Sequence, residues 1–191
     1  MQFQYQTDRL ILKVLSAQDA PMVYQFYLQN QNFLEPFEPA RPNNFYSESF
    51  HHSNLSYEYR GFLNMSYLRY WLFTKENPDT PIGTFCFSNI IRGAFQKCTL
   101  GYKLGKSYCH LGYMQEAISY IIPHVFKDLK LHRIEAYVQP ENQPSVNLLS
   151  RLGFKEEGYL ASYAQICGEW KDHLVFSLIF YSWGGPRYLL L

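Results

Sequence analysis

Apolar positions along the chain change their period several times, and the changes mark the elements. Residues 9–14 are a short apolar-rich run opening from Thr7-Asp8, which predicts a strand. Ser16 is placed to cap a helix starting near Ala17, with Asp19 in its first turn and Pro21 early enough to be tolerated. Met22, Val23, Phe26 and Tyr27 then recur at three- and four-residue spacing, the stripe of a core-facing helix. Pro36, Pro39 and Pro42 make residues 30–44 a loop, whereas residues 45–63, rich in Phe, Tyr and His without firm breakers, read as a helix. Residues 67–74 and 82–90 are strands joined across Asn77-Pro78-Asp79-Thr80-Pro81. Arg92-Gly93 opens the next connection, and residues 98–104 make a further strand.

From there the antiparallel pattern gives way to alternation of helix and strand. Residues 112–129 predict a helix with Met114, Ala117, Ile118, Ile121, Ile122 and Val125 inward, kinked at Pro123, whose ring removes an amide donor and crowds the preceding turn. Residues 132–139 form a strand that Pro140 and Asn142 end. A helix follows through Leu152 and stops at Gly153. Two last strands, 159–166 and 174–181, flank Gly168. Strand, helix and strand in succession make residues 98–139 a right-handed βαβ unit inside a mixed sheet. The expected architecture is α+β: one domain over residues 1–182, without internal repeat or linker, and a tail at 183–191 that holds Gly184-Gly185-Pro186 and has no assigned structure.

Composition narrows the function. With 47% apolar and 17% charged residues the chain can bury a substantial core, so it is no disordered linker. Seventeen basic residues against sixteen acidic leave a net charge of +1, and no field of the whole molecule draws it to nucleic acid or to anionic lipid. Direct nucleic-acid binding is therefore not expected. The four cysteines, Cys86, Cys98, Cys109 and Cys167, stand apart with neither disulfide nor zinc-ligand spacing. His51 and His52 are adjacent and hard to aim at one metal, so no metal is expected. Neither a signal peptide nor an apolar run near the roughly 20 residues of a membrane helix is visible, which fits the reducing cytoplasm and no membrane partner. Nothing in the pattern chooses between monomer and homodimer.

Two segments carry chemistry. The step from the strand ending at Leu104 into the helix starting at Gly112 presents unpaired amides at the positive end of a helix dipole, a setting that binds phosphate. Gly112 lets a ligand approach the main chain closely; an ordinary strand-to-helix turn is the alternative. A nucleotide phosphate loop at residues 101–107 is excluded, because three residues rather than four separate Gly101 from Gly105 and no helix starts at Lys106-Ser107. In the second segment Asn142 is a competent cap, accepting from the amide near Ser145, with Pro144 in the first turn. Helix initiation alone accounts for these residues.

Taken together, a series of stretches resembles the GNAT acetyltransferases, in particular the branch that acetylates the N-termini of ribosomal proteins (RimJ/RimL). They are Thr7-Asp8-Arg9-Leu10, residues 32–39 (Asn32 to Pro39), residues 87–95 (Phe87 to Phe95) and Leu100-Gly101-Tyr102. Residues 112–117, 132–136 and 140–145, then Leu152-Gly153-Phe154, Glu157-Gly158 and residues 170–173, continue the series in order. The resemblance spans about residues 7–180 and implies a mixed, mostly antiparallel central sheet with helices on both faces.

It also implies transfer of acetyl from acetyl-CoA to an amine. The family's pyrophosphate loop, Q/R-x-x-G-x-G/A, falls on Cys109, His110, Leu111, Gly112, Tyr113 and Met114. Only Gly112 keeps the pattern: Cys109 stands for Gln or Arg, Met114 for a small residue, and His110 and Leu111 for positions often held by glycine and a basic residue. The resemblance places Asn142 and Ser145 beside the pantetheine arm and thiol. It makes the strand carrying Leu100, Tyr102 and Leu104 the one whose main-chain amides hold the acetyl and pantetheine groups.

An amine must be neutral to attack a thioester. At pH 7 an α-amino group is neutral in about a tenth to a sixth of molecules, a lysine in about one of 2,500. An N-terminal substrate thus needs little help from a base, and no unambiguous strong base is in view. Glu135 is the first candidate, on the strand running toward Asn142, with an ion pair to Arg133 or Lys130 as its alternative. Glu35 and Glu38 are candidates to attract the substrate's ammonium group. Ser145 is the candidate donor to the departing thiolate, and Tyr159 or Tyr163 are substitutes for it. His132 and His173 read as hydrogen-bonded structural residues. Three readings stay open: acetylation of a protein N-terminus, ribosomal by the resemblance; acetylation of a small amine such as an antibiotic or polyamine; and a catalytically weakened CoA-binding module.

Overall fold

Burial on both faces of one strand organises the molecule. In β3 (Leu68–Thr74) Tyr70 and Leu72 point to one side of the sheet and Trp71 and Phe73 to the other, all at most 2% exposed. The first pair belongs to the larger core, shared with the helix α4 (Tyr113–Leu129). The second belongs to a smaller core with α1 (Ala20–Gln29) and α3 (Glu48–Leu63). Helices therefore cover both faces, as the resemblance implies.

The computed structural model describes residues 1–181; the tail at 183–191 lies outside them. Among the described residues eight strands form one sheet in the order β1-β2-β3-β4-β5-β6-β8-β7. Besides β3 they are β1 (Gln4–Gln6), β2 (Leu10–Lys13), β4 (Gly83–Ile91), β5 (Lys97–Leu104), β6 (Arg133–Val138), β7 (Lys155–Ile166) and β8 (Glu169–Ile179). Neighbours pair antiparallel, except that β5 and β6 are parallel with α4 between them, which is the expected βαβ unit. The fold is α+β.

Several elements differ from the pattern-based expectation. β1 was not foreseen: its Gln4-Tyr5-Gln6 buries only Tyr5, so it shows almost no apolar signal. The loop expected over 30–44 begins with a helical turn, α2 (Gln31–Leu34), and a 3-10 turn at Glu35–Phe37, because Pro36 sits where its missing donor costs little. The helix expected from Ala17 opens as a 3-10 turn (Ala17–Asp19), with the Ser16 amide and hydroxyl donating to Asp19. β7 and β8 extend toward each other until only Cys167 and Gly168 remain between them. Both have positive φ (48° and 84°), the backbone of a tight two-residue hairpin.

α4 buries Met114, Ala117, Ile118, Ile121, Ile122, Val125, Phe126 and Leu129 at the expected spacing. It runs through Pro123 as one element. Ser119, whose carbonyl loses its partner there, lies on the exposed side like Pro123, so water can satisfy it. α5 (Gln143–Arg151) follows β6 and packs Leu149 into the same core; Gly153 ends it at φ 83°.

Candidate active site

The ladder between β5 and β6 holds only Lys97–Arg133, Cys98–Ile134 and Thr99–Glu135. Both strands then run on, β5 to Leu104 along β4 and β6 to Val138 along β8, without further pairing to each other. The main-chain groups of Leu100, Tyr102 and Leu104 border a cleft in the middle of the sheet. Across it the Tyr102 and Ser145 hydroxyls lie 2.6 Å apart, joining β5 to the first turn of α5. Asn142 caps that turn, its side chain accepting from the Ser145 amide at 3.3 Å. Burial pushes the Tyr102 phenol up to about 12, against a smaller opposing effect of Ser145. The phenol stays protonated at neutral pH and can donate to Ser145 Oγ, which leaves the Ser145 proton free to point into the cleft.

The start of α4 lies past a 3-10 turn at Lys106–Tyr108. Gly112 is the N-cap, at φ 80°, a backbone that side chains rarely adopt. His110 also has a positive φ, 64°, a backbone more usual for glycine. His110, Leu111 and Gly112 are exposed, while Met114 is 5% exposed and belongs to the core. The methionine's bulk is thus directed away from the loop. The Cys109 thiol donates to the Gly105 carbonyl at 3.6 Å, and burial raises its pKa, so it brings no charge. A cap without a side chain, followed by the orphan amides of α4, fits a diphosphate, and the cleft fits an amide-bearing thioester arm.

A contact that the residue pattern did not reveal braces this loop. Arg9, between β1 and β2, donates Nε to Glu116 (2.7 Å) and Nη1 to the Leu111 carbonyl (3.0 Å), and lies over the Tyr113 ring at 4.6 Å. Glu116 also accepts from the Thr7 hydroxyl (2.6 Å) and the Arg9 amide (2.9 Å). Burial would raise the Glu116 carboxyl, but these donors outweigh it and hold it below the ordinary value. The sequence signal was there, in Thr7-Asp8-Arg9-Leu10, but its partner stands over a hundred residues away.

Glu135 is 6% exposed and accepts from Lys97 Nζ (2.9 Å), Arg133 Nε (2.7 Å) and the Tyr137 hydroxyl (2.8 Å). Burial works upward on its carboxyl, yet Lys97, Tyr137 and Arg133 hold it low. A carboxylate so satisfied is a poor proton acceptor, and the geometry is the ion pair with Arg133 that the sequence admits.

On the sheet face opposite Tyr102, Lys103 pairs with Glu38, which Arg41 also holds. Glu35 accepts from Tyr46 (2.7 Å) and Gln31 (3.1 Å). Both glutamates therefore have partners within the chain. This Pro-rich loop touches the β7–β8 turn, where the Cys167 amide donates to the Glu38 carbonyl at 3.3 Å. Between loop and hairpin runs a groove of about 500 Å³ lined by Asn32, Glu35, Pro36, Ile166, Cys167 and Lys171 among others. Tyr159 is engaged by Asp172, and Tyr163 stacks on Tyr137 with ring centres 4.7 Å apart. His132 and His173 bond main-chain carbonyls, at Phe180 (3.0 Å) and Lys171 (3.1 Å), as expected.

Residues 9–155 match the acetyltransferase (GNAT) domain family. The ribosomal protein uS5-alanine N-acetyltransferase of Escherichia coli is 34% identical over 181 residues, which cover 95% of this chain and 93% of that protein. The crystal structure of the ribosomal-protein-S5-alanine acetyltransferase of Vibrio fischeri superposes with a TM-score of 0.90 at 28% identity, over 96% of this chain and all of that one. RimJ of Mycobacterium smegmatis, solved in complex with CoA-disulfide, gives 0.82 at 28% identity, over 89% of this chain and 81% of that one. With most of its length inside the family's domain and relatives aligned nearly end to end, the chain belongs to the GNAT acetyltransferases.

Proposed function

We propose that the protein moves acetyl from acetyl-CoA to the N-terminal α-amino group of a protein, a ribosomal protein by analogy with its E. coli relative. The observation that carries the reading is the ladder that stops at Thr99–Glu135 while both strands continue, leaving a cleft with the α4 N-terminus at one end and the Tyr102–Ser145 pair across it. When bound there, the coenzyme supplies an activated thioester. Amides around Gly112 hold the diphosphate, and free main-chain groups of Leu100, Tyr102 and Leu104 hold the arm and stabilise charge developing on the acyl oxygen. Asn142 fixes the turn carrying Ser145. Tyr102 donates to Ser145, and Ser145 donates to the departing sulfur, which as a thiol with a pKa near 8.5 leaves readily with modest help.

The acceptor comes from the other side, through the groove between the Pro-rich loop and the β7–β8 turn. Its α-amine needs no strong base at neutral pH, in keeping with Glu135 being committed to Lys97 and Arg133.

Incubation with acetyl-CoA and a panel of N-terminal peptides, read by thiol release and mass spectrometry, tests the reading. Acetyl on the peptide α-amine is the expected result, at a rate that rises with pH through about 8. Turnover of polyamines or aminoglycosides but not peptides would move the acceptor to a small amine, and no CoA binding in calorimetry would leave only a non-catalytic fold. Ser145→Ala is expected to lower kcat about tenfold with CoA affinity nearly unchanged, since it removes a donor used only as the sulfur leaves. An unaltered kcat makes Ser145 a structural residue.

A further inference from the structure

We propose that Arg9 is a positioning residue of the coenzyme site: from the turn between β1 and β2 it sets the Leu111–Gly112 peptide so that the Gly112 amide faces the diphosphate. The inference rests on the coenzyme reading above.

A trans peptide points its carbonyl and the following amide in opposite directions. Arg9 Nη1 holds the Leu111 carbonyl at 3.0 Å, so the Gly112 amide is turned away from Arg9 and toward the open end of α4. The guanidinium is itself fixed by Nε on Glu116 and by the Tyr113 ring beneath it. Nη2 is committed to neither contact and lies beside Gly112, 3.4 Å from where a Cβ would stand. The rigid fork of arginine suits this double grip, which one lysine ammonium reproduces poorly.

Charge argues the same way. Glu116 in the first turn of α4 favours the helix but repels a phosphate arriving at the same end. Arg9 neutralises it and leaves the helix terminus electropositive. A Cβ at Gly112 would stand in ordinary contact with Nη2, so the φ of 80°, not a lack of space, is what favours glycine beside the arginine.

The test compares acetyl-CoA with S-acetylpantetheine, which has the thioester and arm but no diphosphate. For Arg9→Met, kcat/KM with acetyl-CoA is expected to fall about tenfold through KM, with kcat retained and S-acetylpantetheine used as by the wild type. A general loss of structure would lower both donors alike, and that result, or undiminished use of acetyl-CoA, overturns the role of Arg9. Arg9→Gln, which keeps one amide donor, repeats the comparison at smaller scale if the methionine variant does not fold. A wild-type protein that fails to prefer acetyl-CoA over S-acetylpantetheine brings down the coenzyme reading itself; preference in the wild type that persists in both variants removes only Arg9.

Discussion

Gly112→Asp is expected to weaken CoA binding about a hundredfold in a protein that still folds. The cap has φ 80°, where an L side chain costs about 1–2 kcal/mol. The new Cβ stands 3.4 Å from Arg9 Nη2, and the carboxylate it carries competes with Glu116 and the Leu111 carbonyl for the guanidinium. The same carboxylate places negative charge where the proposed diphosphate meets the amides, and a charge-assisted hydrogen bond lost there is worth about 1.5–3 kcal/mol. The lost hydrogen bond and the repulsion reach the 2.7 kcal/mol or so that a hundredfold change represents, whereas the strain is present with and without ligand and lowers stability instead. Gly112→Ala separates the parts, because it has the strain without the charge and should lose about tenfold or less. Calorimetric titration with CoA, alongside a thermal melt, is the measurement. Undiminished affinity in folded Gly112→Asp puts the diphosphate elsewhere.

Glu135→Gln should do the reverse, lowering stability by about 2 kcal/mol and leaving turnover within about threefold. Removing one partner of a buried ion pair costs about 3–5 kcal/mol; here Lys97 and Arg133 keep 26% and 21% of their side chains exposed, and Arg133 retains Glu157, so the cost is smaller. At this chain length that is a melting temperature lower by about 4–8 °C. The pH dependence has a definite sign. The Glu135 carboxyl is held below its ordinary value in the fold, so its contribution is present in full above the unfolded value near 4.5 and disappears as pH falls through the lower, folded value. The gap between wild type and variant is therefore expected at pH 7 and should close in acid. A fall in kcat of a hundredfold or more at retained stability would instead make Glu135 the general base.

What the sequence disclosed follows from the range over which each signal acts. The inner side of α4, the Asn142 cap and the stop at Gly153 are written in spacings of three or four residues, and all three are found where expected. So is the strand–helix–strand crossover, because its periods change within forty residues. β1 left little trace, since an edge strand with one buried residue has no pattern to display. The candidate loop was found through Gly112. Its electrostatics were not, because Arg9 and Glu116 meet only once the β1–β2 hairpin is laid against α4. The same holds for Tyr102 and Ser145, whose contact depends on the cleft's width, and for the docking of Cys167 on the Pro-rich loop. Each of these joins segments dozens of residues apart, and no local period encodes such a meeting.

The short parallel ladder also has a mechanical meaning. Five strands on one side and three on the other are two stiff plates, each stitched internally by long antiparallel seams, and only three residue pairs weld them. The opening proposed to receive the thioester is the gap beyond that weld. The gap's width is set by the angle between the plates, and α4, which runs from β5 to β6, carries the chain from one plate to the other beside the weld.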